Sequence, residues 1–421
     1  MADVFGFDNP VKRRHHNWAK WDVADDELPM TIADMDLPTS PQIVQALHDK
    51  VASATYGYED IPQEYYEAVQ GWLTRHHRFT PPLEWMSFAT GVIPALSSLI
   101  RTLTTVGDNV LMLTPVYNIF FNSAANNGRH PLASPLDYEN ASHTYSINWA
   151  DVEKKMALAR TTMMVVCNPH NPSGLVPEPE DLAHIVRLAR QYGVIVVSDE
   201  VHGDMLWDDT LDYTPILSLP EPLRGNVIEL ISPSKTFNCA ATHACMVLIA
   251  DPNLRAHAVR GFNNDEIAEP NLTAVPASIA AYRDSDEWYA AMLSYVRANI
   301  ELVNDTLARE MPLITPVKMA ATYLPWLDCT DLFAAHPSSP VSSVSPDYQS
   351  TEVEALDRPH TVSDEFTAFI RQTSGLLVNP GGEYFGNGAT FIRMAVACPR
   401  HQVEDALARL KRSYDLWCEQ H

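Results

Sequence analysis

The chain has 421 residues, with 29 Lys and Arg against 53 Asp and Glu, and a formal net charge of −24. At roughly 150 residues per domain, this length predicts two or three domains. A composition that is 46% hydrophobic and 19% charged can bury a sizeable core and is not that of a disordered chain. The acidic balance argues against nucleic-acid or anionic-membrane surfaces as partners, because both attract cations.

No apolar run of 18 residues occurs, so no membrane span is expected. The opening segment MADVFGFDNPVKRRHH lacks the apolar stretch of a secretory signal. The six cysteines, at positions 167, 239, 245, 329, 398 and 418, form no CxxC pair. That scatter predicts reduced thiols in the cytoplasm, with neither a disulfide frame nor a structural metal site.

Six short runs rich in Val, Ile and Met predict strands at Trp85–Ala89, Asn109–Leu113, Thr161–Cys167, Val194–Ser198, Val227–Ile231 and Cys245–Ala250. Strands buried on both faces of a parallel sheet read this way. Helical patterns fall between them. In Glu178–Tyr192, the residues Leu182, Ile185, Val186 and Ala189 recur along one apolar face. Acidic residues open this helix and Gly193 is its predicted stop. The alternation predicts an α/β domain with a mostly parallel sheet.

Beyond it, Asp286–Met311 reads as a long helix, Ala321–Cys329 and Thr390–Val396 as strands, and His401–Trp417 as a closing helix. The expected division is a large domain over 51–285 and a smaller α+β domain formed by 1–50 and 286–421. An insertion is expected over about 331–365. Within it, nine of the fourteen residues from Pro337 to Ser350 are Ser or Pro, which favours a loop.

Ligands of open α/β sheets bind beyond the carboxyl ends of the strands. Five predicted strand ends run directly into unusual polar residues. Thr90-Gly91-Val92-Ile93-Pro94 follows the first, and a glycine turn entering a helix presents free N–H groups to phosphate. Tyr117, Asn168-Pro169-His170-Asn171-Pro172-Ser173-Gly174, Asp199-Glu200-Val201-His202 and Ser232-Pro233-Ser234-Lys235 follow the others. Each motif has an ordinary reading as a turn, a cap or a solvated lysine. Their convergence on one sheet edge is what points to a site. Asp34 reads as a structural cap. The glycine-rich stretch 381–388 reads as a flexible loop, and the paired histidines 15/16 and 76/77 as solvated side chains.

At these residues the sequence resembles the fold-type I pyridoxal-phosphate (PLP) enzymes of the aspartate aminotransferase superfamily. Within it, the chain is similar to the MalY/PatB group of cystathionine β-lyases. Thr31–Asp36, Tyr56-Gly57-Tyr58, Ser232–Asn238, Thr322–Asp328 and Phe391–Met394 carry that likeness. The resemblance implies a large domain with a mostly parallel, seven-stranded type of sheet flanked by helices, plus the smaller domain.

It further implies that Lys235 holds PLP covalently and then acts as base at the substrate Cα. Asp199 would pair with the pyridine nitrogen. Tyr117 would stack on the ring, and Asn171 would donate to the ring oxygen. His202 stands where Tyr is frequent. The N–H groups of Val92 and Ile93, with the Ser232 hydroxyl, would hold the phosphate. Tyr58 would reach the phosphate of a neighbouring subunit, implying a homodimer. Arg393, with Asn171 beside it, would anchor the substrate α-carboxylate through a guanidinium fork.

The expected reaction is α,β-elimination on an L-amino acid with sulfur at Cβ. With L-cystathionine it would release homocysteine, pyruvate and ammonia. An aminotransferase on the same fold is the first rival, since both reactions begin with the same Cα carbanion. A regulatory PLP protein docking to a transcription factor is the second, and an inactive homologue the third. The preferred sulfur amino acid is left open, although Gly261–Asn271 is expected to border the entrance.

Overall fold

The computed structural model describes residues 3–9, 13–207, 211, 213–338 and 358–421. The centre of the expected insertion, 339–357, lies outside them.

Seven strands build the main sheet: β1 (Met86–Ala89), β2 (Asn109–Thr114), β3 (His130–Pro135), β4 (Thr161–Cys167), β5 (Ile195–Asp199), β6 (Val227–Ile231) and β7 (Cys245–Ile249). Their spatial order is β1-β7-β6-β5-β4-β2-β3. β7 runs antiparallel to both its neighbours, and the other pairings are parallel. Successive side chains of a strand point to opposite faces. Leu111 and Leu113 accordingly enter one apolar cluster, while Val110 and Met112 enter another on the opposite face. Both faces are covered, which is why these strands have no polar alternation.

The six predicted strands are present within a residue or so of their expected ends. β3 went unpredicted. It carries Pro131 and Pro135, which cannot donate to a ladder, and a proline-bearing strand is tolerated at the sheet edge where β3 lies. The helix predicted over 178–192 spans Pro179–Tyr192, with a capping box between Glu178 and Asp181. Gly193 ends it at φ +72°, a left-handed conformation natural to glycine.

A second, four-stranded sheet consists of β8 (Thr315–Pro316), β9 (Trp326–Asp328), β10 (Asn379–Pro380) and β11 (Phe391–Arg393), in the order β8-β9-β11-β10. Its apolar face packs with helices Asp286–Glu310, Val362–Ser374 and Arg400–Gln420 in a cluster that includes Leu327, Ile392, Phe366 and Trp417. Two expected strands prove shorter here. Thr322 has φ +69°, so Ala321–Pro325 cannot continue β9 as regular ladder. Beyond Arg393, the N–H groups of Met394, Ala395 and Val396 donate to Pro325, Met30 and Tyr323, all outside the four strands.

The segment Thr31–Thr39 crosses from this second region onto the main sheet. Asn238 clamps it, donating to the Met35 and Leu37 carbonyls and accepting from the Met35 N–H.

Candidate active site

The carboxyl ends of β1, β4, β5 and β6 and the second sheet surround one cavity of about 490 Å³. That size suits a small cofactor with a substrate. Lys235, Asp199, Tyr117, Asn171, His202, Val92, Ile93, Ser232 and Arg393 all line it. The structure thus brings together nine of the residues singled out from sequence.

Lys235 lies on the short helix Pro233–Thr236, directly after β6. Its amine donates to the Ala33 carbonyl at 2.6 Å, and the Tyr323 hydroxyl donates to the same oxygen at 3.1 Å. Burial lowers the lysine amine to about 8; Asp34 opposes this, Arg393 adds to it, and Asp199 opposes it. Asp199 ends β5. Burial raises its carboxyl to about 6, against a hydrogen bond from the Val201 N–H and the attraction of Lys235. A buried carboxylate and a buried amine thus face one cavity, each bearing a charge that its surroundings disfavour.

After β1, Gly91 has φ +142° and opens the helix Val92–Leu103 without a side-chain cap. The first N–H groups of that helix are therefore left for a ligand. Ser232 donates to the Ala244 carbonyl at 2.7 Å and also accepts from the Ser234 N–H, so its hydroxyl caps the lysine helix. His202 is buried with Nδ1 unpartnered among the described residues. Burial, then Lys235 and Arg393, push this imidazole down to about 3, so it is neutral.

Arg393 is 4% exposed. Its guanidinium donates to Asn171 Oδ1 at 3.2 Å, to the Thr31 carbonyl at 3.0 Å and to Asn379 Oδ1 at 3.2 Å. It also lies 4.8 Å from the Tyr384 ring centroid. Its only carbonyl and carboxamide partners leave the positive charge uncompensated by any salt bridge among the described residues.

Sequence reasoning missed Asn379, Glu383, Tyr384 and His243, which also line the cavity. Most come from a two-residue strand and short turns, too brief to show periodicity. The stretch expected as an open loop is two 3-10 turns, Gly381–Tyr384 and Gly388–Thr390. A Cβ at Gly381 would lie 2.1 Å from the Gly388 carbonyl oxygen, so these turns pack too closely for any larger residue.

Tyr58 stands apart from the cavity, wholly exposed, and lines a separate depression with Asp60 and Asn271. Residues 261–271 do not line the cavity either; Ile267 accepts from the Thr90 N–H at 3.0 Å. His77 corrects the expectation of solvated histidines. Its side chain is only 7% exposed and its Nε2 lies 2.7 Å from Asp204.

The fold and this set of groups define an aminotransferase-like protein. The family described as aminotransferase class I and II matches residues 25–410, and the chain belongs to it. More particularly, it is 31% identical to cystathionine beta-lyase PatB of Bacillus subtilis over 412 residues, covering 96% of this chain and 98% of that one. It is 28% identical to protein MalY of Escherichia coli, covering 97% of this chain and 98% of that one. The PLP-bound C-S lyase from Staphylococcus hominis superposes with a TM-score of 0.86 at 25% identity, covering 98% of each chain.

Proposed function

We propose that the chain is a PLP-dependent carbon–sulfur β-lyase that cleaves L-cystathionine or a related S-substituted L-cysteine. The observation that carries the cofactor chemistry is the placement of buried Lys235 and Asp199 on one cavity, beside an uncapped helix start and the uncompensated Arg393, and the 31% identity to a cystathionine beta-lyase favours elimination over amino transfer. These residues fit the cofactor. The unpartnered His202 Nδ1 and the free N–H groups of Val92 and Ile93 are polar atoms that a phosphorylated pyridine would satisfy.

Lys235 would hold PLP covalently, Asp199 would face its ring nitrogen and Tyr117 its ring face. Asn171 and His202 would meet the ring oxygen. Val92 and Ile93, and Ser232 with its hydroxyl turned from the Ala244 carbonyl, would meet the phosphate, together with Tyr58 of the partner subunit. When bound, the cofactor supplies a ring that takes up the electron pair released at the substrate Cα.

The chain's own residues do the rest. Arg393 holds the α-carboxylate with Asn171 beside it. The Lys235 amine, whose neutral form burial makes accessible, takes the Cα proton. Asp199 would keep the ring nitrogen protonated, which is what lets the ring accept that electron pair. The Cα–H pair becomes the new Cα–Cβ double bond, and the Cβ–S pair leaves with sulfur as thiolate. The released 2-aminoacrylate hydrolyses to pyruvate and ammonia.

The same reading makes the chain a cytoplasmic homodimer with shared sites. The wholly exposed Tyr58, with Tyr56, Val44 and Val51 exposed nearby in sequence, supports the shared surface. It also keeps 51–285 as the cofactor-bearing unit, since the main sheet lies within that range.

Lys235→Ala tests the assignment. It should lose the visible absorption of bound cofactor and at least about a thousandfold in turnover. Full activity in that variant would end the proposal.

A further inference from the structure

Four charged side chains line the cavity among the described residues: Lys235, Asp199, Arg393 and Glu383. The elimination chemistry uses the first three. Glu383 lies on the turn Gly381–Tyr384 and accepts one hydrogen bond, from Asn379 Nδ2 at 3.1 Å. It forms no salt bridge among the described residues. Arg358, a nearby cation that Glu383 attracts at a distance, gives both its terminal nitrogens to Asp364. The turn that carries Glu383 is closely seated. A Cβ at the preceding Gly382 would lie 2.7 Å from Thr361 Oγ1.

We propose that Glu383 determines specificity, favouring L-cysteine thioethers whose sulfur substituent ends in a cation. This rests on the C–S lyase reading above. Asn379 bridges the two charges, donating to Glu383 and accepting from Arg393. The carboxylate therefore stands one amide side chain from the anchor of the substrate α-carboxylate. A substrate fixed by Arg393 and at Lys235 has only its sulfur substituent left to extend through the cavity.

A distal ammonium then meets a carboxylate that has no salt bridge among the described residues, in a partly buried wall where charges attract more strongly than in water. A distal carboxylate meets a like charge. A plain alkyl group gains nothing from Glu383. The preferred substrates are accordingly those whose leaving thiol carries an amino group.

Three substrates of similar length isolate the charge: S-(2-aminoethyl)-L-cysteine, S-propyl-L-cysteine and S-carboxymethyl-L-cysteine. The full PLP-loaded chain is given each, and kcat/KM is read from pyruvate release. The aminoethyl compound should exceed the propyl compound by about fivefold, and the carboxymethyl compound should fall below it by a similar factor. In Glu383→Gln the ratio of aminoethyl to propyl should drop to about one.

A purely structural role for Glu383 would lower all three rates together and keep the ratio, which overturns the proposal. A flat or inverted order in the unsubstituted chain overturns it too, without needing the variant to fold. Pyruvate with a flat order removes this inference alone, whereas no pyruvate from any of the three removes the lyase reading and this inference with it.

Discussion

Lys235 is buried among groups that make its neutral form accessible, with its amine lowered to about 8 from an ordinary 10.5. Only the neutral amine attacks the cofactor aldehyde or removes a proton. Cofactor capture by the cofactor-free protein should therefore quicken with pH and level off above about 8. Stopped-flow absorbance would follow it, and a rate still climbing at 10.5 would contradict the burial argument. Arg393 makes the second prediction. Lysine at 393 keeps the charge but loses the two-pronged fit to a carboxylate. Arg393→Lys should cost about 2–3 kcal/mol of transition-state binding, roughly 30- to 150-fold in kcat/KM, with a raised KM. Unchanged kinetics would place the α-carboxylate elsewhere. Lys235 stood out in the sequence because it follows a strand at the ligand-binding edge, and Arg393 through the family resemblance. Asn379 and Tyr384, which hold the Arg393 guanidinium, did not. They reach it through tertiary packing of a two-residue strand and a turn, which no local pattern encodes.

The short helix bearing Lys235 is fastened from behind by an element that sequence reading left unassigned, the helix Gln63–His77. Asp204 joins them, accepting from Trp72 Nε1 at 2.9 Å and Thr236 Oγ1 at 2.6 Å, with His77 Nε2 at 2.7 Å. Burial alone would raise this carboxyl, but the hydrogen bonds from His77, Thr236 and Trp72, with the His77 charge, bring it below 3.8. A folded-state value below the unfolded one contributes stability that is fully present above 3.8 and is lost as pH falls through the folded value. Asp204→Ala strands three buried donors and should lower stability by about 3–5 kcal/mol, read from the urea midpoint near neutral pH. An unchanged midpoint would show that the three donors find other partners. The central strands were legible because burial on both faces leaves them uniformly apolar. β3 was not, since its prolines disguise an edge strand. The strands around Arg393 were overdrawn because extended chain bonded to loops has the same composition as a ladder.

The whole chain combines a sheet-edge cavity with an exposed Tyr58 that its own cavity does not use. If the partner subunit's Tyr58 completes each site, the protein should sediment near twice its chain mass of 47.0 kDa. Co-expressed Tyr58→Ala and Lys235→Ala chains should then be more active together than the sum of either alone, because mixed dimers regain one intact site. A fully active monomer would contradict the shared site. The reaction itself is tested most directly by product analysis. Purified, PLP-loaded protein is given L-cystathionine with no keto acid, and pyruvate, ammonia and free thiol are measured. The account predicts the three in equal amounts. Amino transfer to an added keto acid, with no pyruvate from cystathionine, would contradict it.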